Sequence, residues 1–166
     1  MEKLWSPWRS NYISSFKDKT GDEKCVFCNV EEKNVEDDDT LLVYKGKKCF
    51  VMLNLYPYNN GHLMIIPYRH LSDFNSLSDE EKSEIMELQG KMIDALTIVM
   101  KPQGFNLGAN IGKAAGAGID QHLHFHVLPR WMGDTNFMPA LGEVKVISQD
   151  LLETKKKLIE ALESLK

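Results

Sequence analysis

The chain has 166 residues, with 20 Lys and Arg against 24 Asp and Glu, a formal charge of −4, and 43% hydrophobic residues. That length and apolar content suit one domain with one core, and the charge excludes a broad basic groove for nucleic acid. No apolar run reaches the ~20 residues of a membrane span, and Met1–Ser10 lacks a signal-peptide core, so a cytoplasmic protein without membrane or nucleic-acid partners is expected.

Residues 1–24 are polar with three aromatic anchors, Trp5, Trp8 and Tyr12, and are expected to form an N-terminal arm; residues 25–166 read as a single domain. Cys25 and Cys28 form a C-x-x-C pair. Three cysteines are too few for a disulfide framework, which leaves a redox pair or half of a metal site. Cys49 lies in an apolar run and reads as a buried small side chain. Glu31–Asp39 holds six acids and one Lys, a net −5, so the remainder of the chain is close to neutral. It reads as a solvated loop. Thr40–Tyr44 and Lys48–Leu53 predict two strands joined at Gly46, and Leu63–Ile66 a third after the turn formers of Tyr56–Gly61. His62, directly after that turn, reads as a surface residue or one that supports a site from behind.

Ser78 followed by Glu81 is a capping box, and Ile85, Leu88, Met92, Leu96 and Val99 continue it at helical spacing as far as Pro102. Phe105–Asn110 predicts a strand, Gly112–Gly118 a small-residue loop, Leu123–Leu128 a further strand, and Ser148–Leu165 an amphipathic helix with Leu151, Leu158, Ile159, Leu162 and Leu165 on one side. Strands linked by short turns favour an antiparallel sheet with helices on one face, an α+β fold.

The sequence concentrates its chemistry at His122, His124 and His126, three of its five histidines. Strict alternation places the imidazoles on one side of a strand and Leu123, Phe125 and Val127 on the other. A row of core imidazoles is costly to desolvate, so the row predicts a site. Upstream, Asn110–Gly118 carries small side chains that let backbone N–H groups approach a phosphate. Together they predict a phosphate site facing a nucleophile, with one imidazole attacking phosphorus and a neighbour donating to the leaving oxygen.

At these residues the chain resembles the histidine triad family, whose H-φ-H-φ-H-φ-φ motif fits His122–Leu128 at every position. Asn54–Leu63 is similar to that family's nucleotide-pocket strand and turn, and Pro129–Pro139 resembles the bacterial branch of diadenosine tetraphosphate phosphorylases and related nucleotidyl transferases. The resemblance implies a sheet of about five strands with a long helix and a C-terminal helix. It implies His124 as the nucleophile that becomes nucleotidylated, His126 as the phosphate and leaving-group contact, and His122 as the third member of the triad. Asn54 would hold the ribose, Asn110 would lie near the phosphates, and Gly116, Ala117 and Gly118 would offer N–H groups.

The expected reaction is phosphorolysis of diadenosine tetraphosphate to ADP and ATP, with inorganic phosphate as acceptor. The alternatives are a triad hydrolase releasing AMP from phosphoramidates or dinucleoside polyphosphates, and a non-catalytic, zinc-stabilised nucleotide sensor. Cys25, Cys28, His70 and His122 match a Cys₂His₂ zinc position seen in some relatives, which makes a structural zinc the expected cofactor, against a reduced, metal-free pair with a solvent-exposed His70. A homodimer or higher homo-oligomer is implied, with Trp5, Trp8 and the tail aromatics available for interfaces. Lys113 and Arg130 read either as partners of distal phosphates or as surface charges, and Trp131 as a wall of the distal end or an interface residue.

Overall fold

The computed structural model describes residues 25–28, 30–134 and 149–165. The expected arm, with Trp5, Trp8 and Tyr12, and the tail beyond Asp134 lie outside the described residues. Five antiparallel strands form one sheet: β1 (Leu42–Lys45), β2 (Cys49–Leu53), β3 (Leu63–Pro67), β4 (Gly104–Gly108) and β5 (Phe125–Arg130), in the order β1-β2-β3-β5-β4. With helices α1 (Asp79–Met100) and α2 (Leu151–Ser164) this is the α+β architecture the sequence predicts.

One face of the sheet is covered by the helices. Val51, Leu53, Leu63, Ile65, Leu123, Phe125 and Val127 join Ile85, Leu88, Met92 and Leu96 of α1 and Leu158 and Leu162 of α2 in the main core. The α1 capping box forms as expected: Ser78 Oγ accepts from Glu81 N–H, and the Glu81 carboxylate accepts from Ser78 N–H. The helix ends at Lys101, a left-handed cap with φ 48°, one residue before Pro102. α2 begins later than its sequence pattern suggests, because Asp150 caps it by accepting from the N–H groups of Leu152 and Glu153. Leu165 lies past its end and is exposed rather than packed.

The helix side also fixes the β1–β2 turn. The Glu84 carboxylate of α1 accepts from the backbone N–H groups of Lys47, Lys48 and Cys49. A Cβ at Gly46 would meet that carboxylate at 2.6 Å, so only glycine admits this close approach. Cys49 is fully buried, and burial, then Glu84 and Glu81, pushes its thiol up to about 12, which makes it an inert core side chain.

The opposite face carries a smaller cluster of Phe27, Val30, Leu42, Phe50, Met64 and Ile66. Beside it, Met52, Met64 and His126 are direct cross-strand partners on β2, β3 and β5. They form the floor of a cleft of about 680 Å³ running across the sheet toward β1.

The acidic segment is the solvated loop expected, and two lysines hold it in place. Its side chains are exposed, but its backbone is pinned. Lys155 of α2, 1% exposed, donates to the carbonyls of Asp37 at 2.6 Å and Thr40 at 2.8 Å. Lys45 donates to the carbonyls of Glu31 and Lys33 at 2.7 and 3.1 Å. These donors satisfy loop carbonyls that no strand or helix reaches. Held in this way, Lys33, Asp39 and Thr40 line the cleft.

Candidate active site and metal centre

The histidine row keeps its alternation but not all of its strand. β5 starts at Phe125, because Leu123 N–H leaves the ladder to donate to Leu71 O at 2.7 Å. His122 and His124 therefore lie in the extended approach to β5, and Pro129 falls inside the strand instead of bounding it. All three imidazoles are buried, at 0, 6 and 8% exposure for His122, His124 and His126.

Hydrogen bonds assign each ring its proton. His124 Nδ1 lies 2.8 Å from the carbonyl of His122, an acceptor only, so Nδ1 carries the proton and the Nε2 lone pair is left for the cleft. His62 is buried behind the row. Its Nδ1 receives the backbone N–H of Tyr58 at 3.0 Å, so its proton sits on Nε2. That Nε2–H donates to His126 Nδ1 at 2.9 Å, which places the His126 proton on Nε2. His126 Nε2 is the one buried side-chain polar atom without a hydrogen-bond partner among the described residues. A buried, unpaired donor is costly, and one aimed into a cleft beside a free imidazole lone pair suits an anionic oxygen.

All four rings stay neutral at ordinary pH. Burial, then His126 and His124, pushes His62 down to about 3. Burial, then His124, pushes His126 down to about 4. Burial also lowers His122 and His124. An unfolded histidine binds its proton below about pH 6.5. Between there and about pH 4 the unfolded chain holds protons that His62 and His126 refuse in the folded state, so folding stability falls as the pH falls. The expected slope approaches ~1.4 kcal/mol per pH unit for each group. Urea midpoints between pH 7 and 5 should fall less steeply in His62→Gln than in the wild type; an identical slope would contradict this assignment.

The remaining expected residues divide. Asn54, Gly116, Gly118, His124 and His126 line the cleft together with Tyr56 and Tyr58. Asn54 Oδ1 accepts from Tyr56 N–H at 2.9 Å, and its Nδ2 lies 3.4 Å from His62 Nδ1. Asn110 stands just outside and donates to the Tyr58 hydroxyl at 3.2 Å. The glycine loop corrects the expectation of three offered N–H groups. Gly116 N–H is consumed by Lys113 O and Ala117 N–H by Gly112 O, within a 3₁₀ turn, while Gly118 N–H has no partner among the described residues. Arg130 is held in a two-point ion pair by Asp134, and Lys113 lies 3.7 Å from Asp120. Neither faces the cleft, and the half-buried Trp131 is not part of its lining.

A second constellation adjoins the first. One ligand atom from each of Cys25, Cys28, His70 and His122 lies within 4.8 Å of the others. Cys25 Sγ is 3.3 Å and Cys28 Sγ 4.0 Å from His122 Nδ1, and Cys28 Sγ is 3.5 Å from His70 Nδ1. Zinc bonds of ~2.3 Å to sulfur and ~2.0 Å to nitrogen in a tetrahedron give ligand separations of about 3.5 Å, so the set fits. His122 Nε2–H donates to Pro67 O at 2.9 Å, which turns the Nδ1 lone pair toward the thiols. Phe27, between the two cysteines, packs its ring 5.5 Å from His122 and 5.4 Å from His124, and lines the cleft with Val26. Sequence reasoning singled out the cysteines but not the phenylalanine between them.

This geometry agrees with a match to the HIT domain model over residues 35–132. The chain belongs to the HIT-domain family. Among its relatives is an AP-4-A phosphorylase of Mycobacterium tuberculosis, 40% identical over 161 residues, covering 95% of this chain and 83% of the relative. Among solved structures, a zinc-bound histidine triad family protein of Mycobacterium smegmatis has a TM-score of 0.68 at 25% identity, covering 87% of this chain and 97% of its own. A hypothetical histidine triad nucleotide-binding protein of Sulfolobus tokodaii has a TM-score of 0.66 at 27% identity, covering 85% and 93%. This HIT domain thus lies on the bacterial side of the family, near the phosphorylases.

Proposed function

We propose that this HIT domain transfers a nucleotidyl group from a dinucleoside polyphosphate through a covalent intermediate on His124. The observation that carries this reading is the proton assignment: an Nε2 lone pair on His124 beside an Nε2–H on His126, facing one cleft. His124 Nε2 attacks the phosphorus next to the nucleoside, forming a P–N bond. The P–O bond to the leaving polyphosphate breaks as His126 Nε2–H donates to the leaving oxygen. The carbonyl of His122, already bonded to His124 Nδ1–H, stabilises the cationic ring that results. An oxygen of inorganic phosphate then attacks the same phosphorus and releases His124. Diadenosine tetraphosphate thereby gives ATP in the first step and ADP in the second. The apolar floor of Met52 and Met64, with Leu41 and Leu55, suits a base, and Asn54 a ribose.

Cys25, Cys28, His70 and His122 would hold zinc, whose contribution is structural. The M. smegmatis relative, described as zinc-bound, supports this. A homodimer would pair across β4, a sheet edge with Leu107 47% exposed. No helix among the described residues is long and apolar enough to cross a membrane, and we place the protein in the cytoplasm.

Diadenosine tetraphosphate incubated with and without inorganic phosphate tests the reaction. ADP and ATP formed only with phosphate is the expected result. AMP and ATP without phosphate would identify a hydrolase, and AMP binding with no turnover a sensor.

A further inference from the structure

The Tyr58 side chain touches the histidine pair and the glycine loop, and no step above uses it. Its ring centroid lies 4.7 Å from that of His62 and 5.6 Å from that of His126. Its hydroxyl accepts from Asn110 Nδ2, at the start of the glycine loop. The residue is 46% exposed and lines the cleft. A phenol oxygen that accepts one hydrogen bond still has its own proton to donate. No acceptor for that proton is present among the described residues.

The charges around the cleft give the proton a use. A dinucleoside polyphosphate carries several negative charges, yet Lys33 is the only cation among the described residues that line the cleft. Lys33 belongs to the acidic segment before β1, three strands away from His126 in the sheet. Among the described residues, holding the phosphates therefore falls to neutral donors: His126 Nε2–H, Gly118 N–H and the Tyr58 phenol. The phenol is tied to Asn110 and not to Asn54, so it serves the phosphate end of the cleft and not the ribose.

We propose that Tyr58 is a substrate-contacting residue whose O–H hydrogen-bonds a non-bridging oxygen of the phosphate beyond the transferred one, so that the cleft distinguishes nucleoside polyphosphates from nucleoside monophosphates. The proton stays on the phenol throughout. The direction, toward the leaving side, rests on the nucleotidyl-transfer reading. The ring lies against His126, whose Nε2–H meets the leaving oxygen in that reading.

Tyr58→Phe removes the hydroxyl and keeps both the ring on the imidazoles and the backbone N–H to His62. Calorimetric titration with AMP and with α,β-methylene-ADP, which cannot be cleaved at the bond in question, measures the added phosphate directly. In the variant, Kd for α,β-methylene-ADP should rise about tenfold, the loss of one hydrogen bond to a charged group, while Kd for AMP stays within twofold. A thermal melt checks the fold. Equal shifts for both ligands would mean a merely structural residue, and no shift for either, or no binding of either by the wild type, would equally overturn the proposal. Turnover of diadenosine tetraphosphate by the wild type is scored separately. Its absence would overturn nucleotidyl transfer while the affinity ratio still decides whether Tyr58 reads the second phosphate.

Discussion

His124→Ala is expected to lower turnover of diadenosine tetraphosphate by roughly 10⁴-fold or more, because no other group in the cleft presents a neutral imidazole lone pair. The His126 lone pair is occupied by His62 Nε2–H, and that of His122 faces the thiols. The fold should survive. The His124 ring makes one hydrogen bond, to the carbonyl of a residue two positions away, so its removal leaves no distant buried group unpaired. Rapid quench with labelled substrate should trap label on the wild-type protein and none on the variant. Wild-type turnover in a folded His124→Ala protein would remove the central claim.

Metal removal should have the second large effect, and it should reach the nucleotide. Val26 and Phe27 are cleft wall and metal loop at once, and Phe27 is 4% exposed against His122 and His124. Without an ion the two thiols face the His70 and His122 nitrogens with no bond to hold them, and the segment Cys25–Cys28 is left to the packing of Phe27 on the sheet. Chelation is expected to lower Tm by about 10 °C or more, since each kcal/mol is worth roughly 2–4 °C in a domain of this size. AMP affinity should weaken about tenfold as the Phe27 wall loosens, a contact change of ~1.4 kcal/mol. Cys28→Ser should reproduce both effects. A metal content near zero in protein purified without chelators, or an unchanged melt after chelation, would refute the assignment.

Much of the fold is written locally. The capping box at Ser78, the spacing from Ile85 to Leu96 and the alternation from Leu123 to Val127 each specify an element through contacts within a few residues, and those elements form, β5 only from Phe125 onward. The histidine row and the cysteine pair are legible for the same reason. What the sequence hides depends on residues brought together from afar. His62 follows a turn, and nothing nearby in sequence shows that the β3–β5 register buries it against His126. The pinning of the acidic segment needs Lys155, more than a hundred residues away, and a helical lysine ordinarily reads as solvated. The glycine loop misleads in the opposite direction. Its composition promises free N–H groups, but a 3₁₀ turn consumes two of the three. A resemblance can carry His70 to the metal site; spacing from the cysteines alone cannot.

The pinned acidic segment also gives the cleft a direction. Asp39 stands where the chain enters β1 and His126 on β5, with β2 and β3 between them, a separation of three strand spacings or about 14 Å. That is nearly two Debye lengths at physiological salt, ~8 Å each, so the two ends present different potentials to an arriving ligand. A nucleotide is itself lopsided, neutral at the base and anionic at the phosphates. Carboxylates at one end and uncharged donors at the other favour entry with the base toward β1 before any hydrogen bond has formed. Because Lys155 holds the backbone of that segment at Asp37 and Thr40, its negative charge stays at the β1 end of the cleft, and the sense of entry follows from the fold.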